Sequence, residues 1–213
     1  MLQPGHALAD LLARSRTALL VVDMQNDFCA ADGYVAGLGL DTTACRAVVD
    51  PLTAFVGWAR CAGIPVLWTW ANYDETLVPP SLLRKKRVAG IDRQCCVPGT
   101  PGYEPFGVAP ADGEPVFVKH CYSAFTNPGL QAHLEAEGIE TLMFAGVQTN
   151  VCIESTLRDA FNAGFNTIIV EDCVASHTAP LHAATLANAD AVALADAEFA
   201  TRGGVQPPSA SRA

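Results

Sequence analysis

The chain has 213 residues, half of them apolar and only 16% charged, which suits one sizeable α/β core and argues against disorder. Its formal net charge of −9 argues against nucleic acid or an anionic membrane as partner, because both are bound through basic surfaces. A small molecule is the expected partner. The opening MLQPGHALADLLARSR lacks the basic, apolar, small-residue order of a secretory signal, and no apolar run is long enough to cross a bilayer, so a cytoplasmic protein is expected. The eight cysteines are scattered and contain no CxxC pair, which points to free thiols rather than disulfides, zinc ligands or a thioredoxin-like redox pair. Vicinal Cys95 and Cys96 read as loop or interface residues.

In chain order, TALLVV (17–22) is an apolar, β-branched run ending in the polar cluster DMQNDF, as a buried parallel strand does. DTTACRAVVDPLTAFVGWARCAG follows with helical spacing, Asp41 as N-cap, a kink expected at Pro51 and Gly63 as C-cap. IPVLWTW is the next strand, and Ala71 to Pro115 reads as a long irregular stretch. VFVKH is a strand, PGLQAHLEAEG a helix and ETLMFAGV a strand. A helix then runs from Cys152 to Ala163, closed by Gly164, before the strand NTIIVED, the helix APLHAATLANA and a short last strand, AVALA. This alternation predicts a single three-layer α/β/α domain with a mostly parallel sheet over residues 17–200, an N-terminal segment 1–16 and a tail 201–213.

Open parallel sheets bind ligands outside the carboxyl ends of their strands. Asp23 ends the first strand, Lys119 ends VFVK, and Cys152 follows the turn after LMFAGV, so all three are expected in one crevice. Their chemistry is complementary. The attacking form of cysteine is the thiolate, and an unperturbed thiol with a pKa of about 8.5 is mostly protonated at neutral pH. A helix N-terminus at Cys152, the Lys119 charge and Asp23 as base would lower that pKa or remove the proton. Each residue alone has a bland reading: Asp23 as a turn residue, Lys119 as a solvated strand end, Cys152 as core.

LLVVDMQNDF, VFVKHCYSAF and AGVQTNVCIESTLRDAF, in this order, resemble the signatures of the isochorismatase-like cysteine hydrolases, and the likeness spans about Thr17 to Ala200. The resemblance implies an α/β/α fold, a homo-oligomer (dimer or tetramer), and catalytic Asp23, Lys119 and Cys152. It also implies a cis peptide between Val147 and Gln148, which would aim the backbone N–H groups of Gln148 and Cys152 at an oxyanion. Members with the cysteine cleave C–N bonds, and the blocks DMQNDFC, GTPGYEPF, YSAF and CIESTLRDAF look most like the ureidoacrylate, biuret and triuret branch. A vinyl-ether hydrolase of the isochorismatase type and a non-catalytic assembly module are the alternatives. Nicotinamidases of the family carry metal-binding histidines after the second strand. LWTWANYDETLVPP has none, and His177 and His182 are five apart, off one helical face, so neither metal nor cofactor is expected. Substrate contacts are expected from Phe28, Gln25, Asn72, Tyr73, Tyr122 and Phe125, with Trp68 and Trp70 as further pocket candidates. Arg158 and Glu154 are expected to pair on a helix face. The run RKKR, Arg84 to Arg87, reads as a solvated face or subunit contact, with a hold on a substrate carboxylate as the alternative.

Overall fold

The computed structural model describes residues 16–189 and 194–195. The expected N-terminal segment up to residue 15, the tail, and most of AVALA lie outside the described residues. Among the described residues six strands form one sheet: β1 Thr17–Val22, β2 Val66–Ala71, β3 Val116–Lys119, β4 Thr141–Val147, β5 Asn166–Ala175 and the two-residue β6 Leu194–Ala195. Their order is β3-β2-β1-β4-β5-β6, and every pairing in the sheet is parallel. The strand order reverses between β1 and β4, which is where an open α/β sheet forms its ligand crevice.

Eight α-helices accompany these strands among the described residues: α1 Asn26–Cys29, α2 Tyr34–Gly37, α3 Thr43–Ala47, α4 Val49–Cys61, α5 Pro80–Val88, α6 Pro128–Ala136, α7 Glu154–Asn162 and α8 Ala179–Asn188. Alternate strand residues divide between two apolar clusters, as the two-residue period of a strand requires. Leu19, Val21, Met143 and Val170 pack with Leu52, Phe55 and Val56 of α4 on one face. Leu20, Val22, Phe144 and Ile169 pack with Leu134 of α6 and Leu157 of α7 on the other. Each fully buried leucine of this kind contributes roughly 2 kcal/mol. The α/β/α layering therefore follows from strands that are apolar on both sides. No described helix is long and apolar enough to cross a membrane.

Two elements depart from the sequence reading. The helix expected as one piece from Asp41 to Gly63 breaks at Val48, upstream of Pro51. Pro51 has no N–H for an intrahelical bond, and a restart at Val49 places it in a first turn, where that N–H is not needed. Asp41 still serves the entry, its Oδ1 accepting from Thr43 N–H at 2.8 Å, and Gly63 closes the exit at φ 70°. The stretch expected to be irregular contains α5, which starts after Pro79 and buries none of its residues. With no apolar stripe, α5 had no periodicity to betray it.

Candidate active site

Cys152 does not open a regular helix. It lies in a π-type turn, Thr149–Ile153, between β4 and α7, where Ile153 N–H donates to Gln148 O at 3.2 Å. The Val147–Gln148 peptide before it is cis. Gly146 has φ 107°, and a Cβ there would stand 2.2 Å from Val22 O, so only glycine lets β4 end this close to β1. Thr156 Oγ1 donates to Cys152 O at 2.6 Å and accepts from Ala124 N–H at 3.1 Å, tying the Cys152 turn to the segment beyond Lys119. Asp23 adopts φ 52°, a left-handed conformation that aspartate tolerates better than most residues.

The register brings the three strand-end residues together. Val22 stands opposite Thr69 and Gly146, and Ala71 opposite Lys119. Asp23 Oδ1 accepts from Thr69 Oγ1 at 3.0 Å, while Oδ2 lies 2.7 Å from Lys119 Nζ as an ion pair without an aligned hydrogen bond. Lys119 Nζ also donates to Cys121 O at 3.0 Å, to Tyr73 OH at 3.3 Å and to Cys152 Sγ at 3.4 Å. Tyr73 OH is 3.8 Å from the same sulfur. Asp23, Lys119 and Cys152 are 0%, 1% and 3% exposed, so the whole constellation is buried.

Burial sets the protonation of the site. It pushes the Cys152 thiol up to about 12; Lys119 pulls the other way, and Asp23 pushes it further up. The local features expected to lower this pKa are outweighed, because a sulfur without water cannot solvate its charge. Burial opposes the Lys119 ammonium, yet Asp23 and Cys152 outweigh it and hold the lysine above its ordinary value. Tyr73 is raised well above its ordinary value, first by burial and then by Cys152 and Asp23, and stays a neutral phenol. The thiol is therefore protonated, and it lies beside the Asp23–Lys119 ion pair.

A cavity of about 230 Å³ reaches Cys152. Of the expected contacts, Phe28, Tyr73 and Tyr122 line it, and Phe28 meets Tyr73 edge-on at 6.3 Å between ring centroids. Gln25, Asn72 and Phe125 are not among its lining residues. Gln25 is 0% exposed and fully used by backbone: Nε2 donates to Ala71 O and Tyr103 O, and Oε1 accepts from Ala71 N–H. Asn72 Oδ1 accepts from Asp74 N–H, and Phe125 packs on Phe165 beneath the other face of the sheet. Trp68 is core, donating from Nε1 to Glu114, and Trp70 packs edge-on against Tyr103. Arg158 and Glu154 pair at 2.6 Å on α7.

The sequence reading missed the rest of the wall. Tyr34, Val35, Leu38 and Leu40 come from the loop-rich stretch around α2, and Val78, Leu82, Lys85, Lys86, Ala89 and Ile91 from α5 and its flanks. The basic run thus divides: Lys85 and Lys86 reach the cavity, whereas Arg84 and Arg87 do not line it. His177 also lines it. Its backbone N–H donates to Gln148 Oε1 at 2.9 Å and its Nδ1 lies 2.9 Å from the same oxygen, an acceptor that assigns the ring proton to Nδ1. Burial lowers its pKa, so the ring is neutral at pH 7.

All eight cysteines are free. Cys95 and Cys96 lie in a loop, as expected, and are buried there, with Cys95 bordering the cavity. With Asp27 they form a group whose ligand atoms lie within 4.8 Å of one another. Both Asp27 oxygens already accept backbone N–H groups, from Tyr34 and Cys96.

The isochorismatase domain profile matches residues 17–199. The chain is 36% identical over 188 residues to a ureidoacrylate amidohydrolase (RutB) of Methylobacterium radiotolerans, covering 81% of this chain and 72% of that one. It is 33% identical over 189 residues to that of Klebsiella variicola, covering 83% and 79%. Among solved structures it resembles an isochorismatase family protein from Desulfovibrio vulgaris, with a TM-score of 0.76, 26% identity and coverage of 89% and 98%. It also resembles N-carbamoylsarcosine amidase from Thermoplasma acidophilum, with a TM-score of 0.70, 26% identity and coverage of 86% and 97%.

Proposed function

The chain belongs to the isochorismatase family, and on that premise we propose that it is an amidohydrolase that cleaves a C–N bond of a small ureido or carbamoyl compound through a thioester on Cys152. The observation that carries this reading is the buried contact of one thiol, one ammonium and one carboxylate, with Lys119 Nζ 3.4 Å from Cys152 Sγ and 2.7 Å from Asp23 Oδ2. The relatives named as ureidoacrylate amidohydrolases and the structural likeness to N-carbamoylsarcosine amidase support C–N hydrolysis.

The chemistry starts from the neutral thiol. As Sγ bonds to the substrate carbonyl carbon, its proton passes to Asp23, so charge moves from sulfur to the carbonyl oxygen rather than resting on a buried thiolate. The backbone N–H groups of Gln148 and Cys152 receive that oxyanion, with Lys119 adding its field. Asp23 returns the proton to the departing nitrogen, the C–N bond breaks, and a thioester remains. Water then attacks the thioester, giving its proton to Asp23, which passes it to the departing sulfur. Lys119 Nζ, 2.7 Å from Asp23 Oδ2, holds the base in place through both half-reactions.

Vinyl-ether hydrolysis does not need the thiol, which favours the amide reading. Lys85 and Lys86 of the RKKR run line the cavity, so a lack of cationic anchors is no argument against a vinyl-ether substrate. The test is ammonia release by chelator-treated enzyme from biuret, triuret, an N-carbamoyl amino acid, a ureidoacrylate analogue and nicotinamide, each repeated with Cys152→Ser. Release from a ureido compound that falls at least about 10³-fold in Cys152→Ser supports the proposal. Equal release from both proteins, or none from any ureido compound, overturns it.

A further inference from the structure

The lining of the cavity above Cys152 is chemically mixed. The thiol is buried, with Tyr73 OH 3.8 Å away. Lys85, an exposed residue of α5, also lines the cavity and stands beside Tyr122. Much of the remaining wall is hydrocarbon, with Val35, Leu40, Val78, Leu82 and Ile91 among its residues. Leu38 and Leu40 line it while remaining 37% and 40% exposed, so large apolar side chains face water at the cavity edge. Such surface favours a ligand with a hydrocarbon body.

The two lysines of this rim differ. Lys86 is already neutralised by Glu75 at 2.6 Å. Lys85 has no carboxylate partner among the described residues; its Nζ donates to Tyr122 OH at 2.8 Å and lies 5.0 Å from the ring centroid. Because the Tyr122 oxygen accepts that bond, its own hydrogen is free to donate. An ammonium and a hydroxyl hydrogen are thus held side by side, which is the donor pair a carboxylate takes.

Resting on the amidohydrolase reading, we propose that the substrate is an N-carbamoyl or related amide acid with a hydrocarbon body: its ureido carbonyl lies at Cys152, its apolar part against the leucine and valine wall, and its carboxylate on Lys85 and Tyr122. This sets the site apart from one for biuret or triuret, which offer neither a hydrocarbon body nor a terminal anion.

The experiment is calorimetric titration of Cys152→Ala, which cannot turn the ligands over, with N-carbamoyl-L-leucine, with its uncharged carboxamide and with triuret. The acid should bind at least about tenfold more tightly than the carboxamide, the range expected of hydrogen bonds to a charged group, and triuret more weakly than either. Adding Lys85→Met should bring the acid-to-carboxamide ratio close to one, and Lys85→Arg should restore most of it. Arg87→Met, on the same helix but away from the cavity lining, should leave the ratio unchanged, which separates direct contact from general attraction to a basic helix. A ratio near one in Cys152→Ala, no detectable binding of the acid, or a ratio indifferent to Lys85→Met overturns the proposal. Failure of the amidohydrolase reading looks different: the acid-to-carboxamide ratio and its dependence on Lys85 stand, but wild-type enzyme shows no Cys152-dependent ammonia release from any ureido compound.

Discussion

If burial rather than Lys119 governs the resting thiol, Cys152 should behave as a poor free nucleophile. A thiol held at about 12 is ionised at pH 8 in about 1 molecule in 10,000, whereas an ordinary cysteine of pKa about 8.5 is ionised in about a quarter. The difference corresponds to roughly 5 kcal/mol against the thiolate. Alkylation by iodoacetamide, followed at the Cys152 peptide by mass spectrometry, separates this residue from exposed Cys61 and half-buried Cys121, which react first. Limited access lowers the absolute rate, so the pH dependence is the informative quantity. The sign is fixed by the raised pKa: the rate should climb about tenfold per pH unit from pH 7 to 10, without a plateau. A plateau with a midpoint below about pH 8 would mean that a thiolate rests against the Lys119 ammonium, and would refute transfer of the proton to Asp23 during attack.

Lys119→Met removes the cation from a carboxylate that is 0% exposed, and should cost about 3–5 kcal/mol in urea unfolding as well as nearly all turnover. A loss below about 1 kcal/mol would show that Asp23 does not depend on this pair. Gly146→Ala drives a Cβ against the Val22 backbone at φ 107°, so stability should fall by about 2–4 kcal/mol and activity with it as β1 and β4 part beside the site. Gln25→Leu strands Ala71 N–H, Ala71 O and Tyr103 O, and should cost about 2–4 kcal/mol in unfolding while KM stays unchanged; a raised KM at unchanged stability would return Gln25 to the substrate pocket.

The sequence by itself determined the architecture and the identity of the three complementary residues. TALLVV, VLWTWA and TLMFAGV are apolar on both faces, and only a parallel sheet covered by helices on both sides buries such strands. Because parallel strands all end on the same edge, Asp23, Lys119 and the turn bearing Cys152 belong to one edge whatever the loops do. Tertiary structure decided what the loops and side-chain packing control. Gln25, Asn72 and Phe125 have the composition of pocket residues, but their partners lie 46 residues away in β2, two residues on in the same turn, and 40 residues away at Phe165. No local pattern carries such pairings. The sign of the Cys152 perturbation was equally hidden: a nearby lysine and aspartate can be read from strand ends, but desolvation depends on how completely distant segments close over the sulfur. The rest of the cavity wall around Cys152 was the least legible part. Helix α5 buries nothing in the core and so has no apolar period, and its placement beside Tyr122 is what brings Lys85 and Lys86 of a basic surface run into the cavity wall.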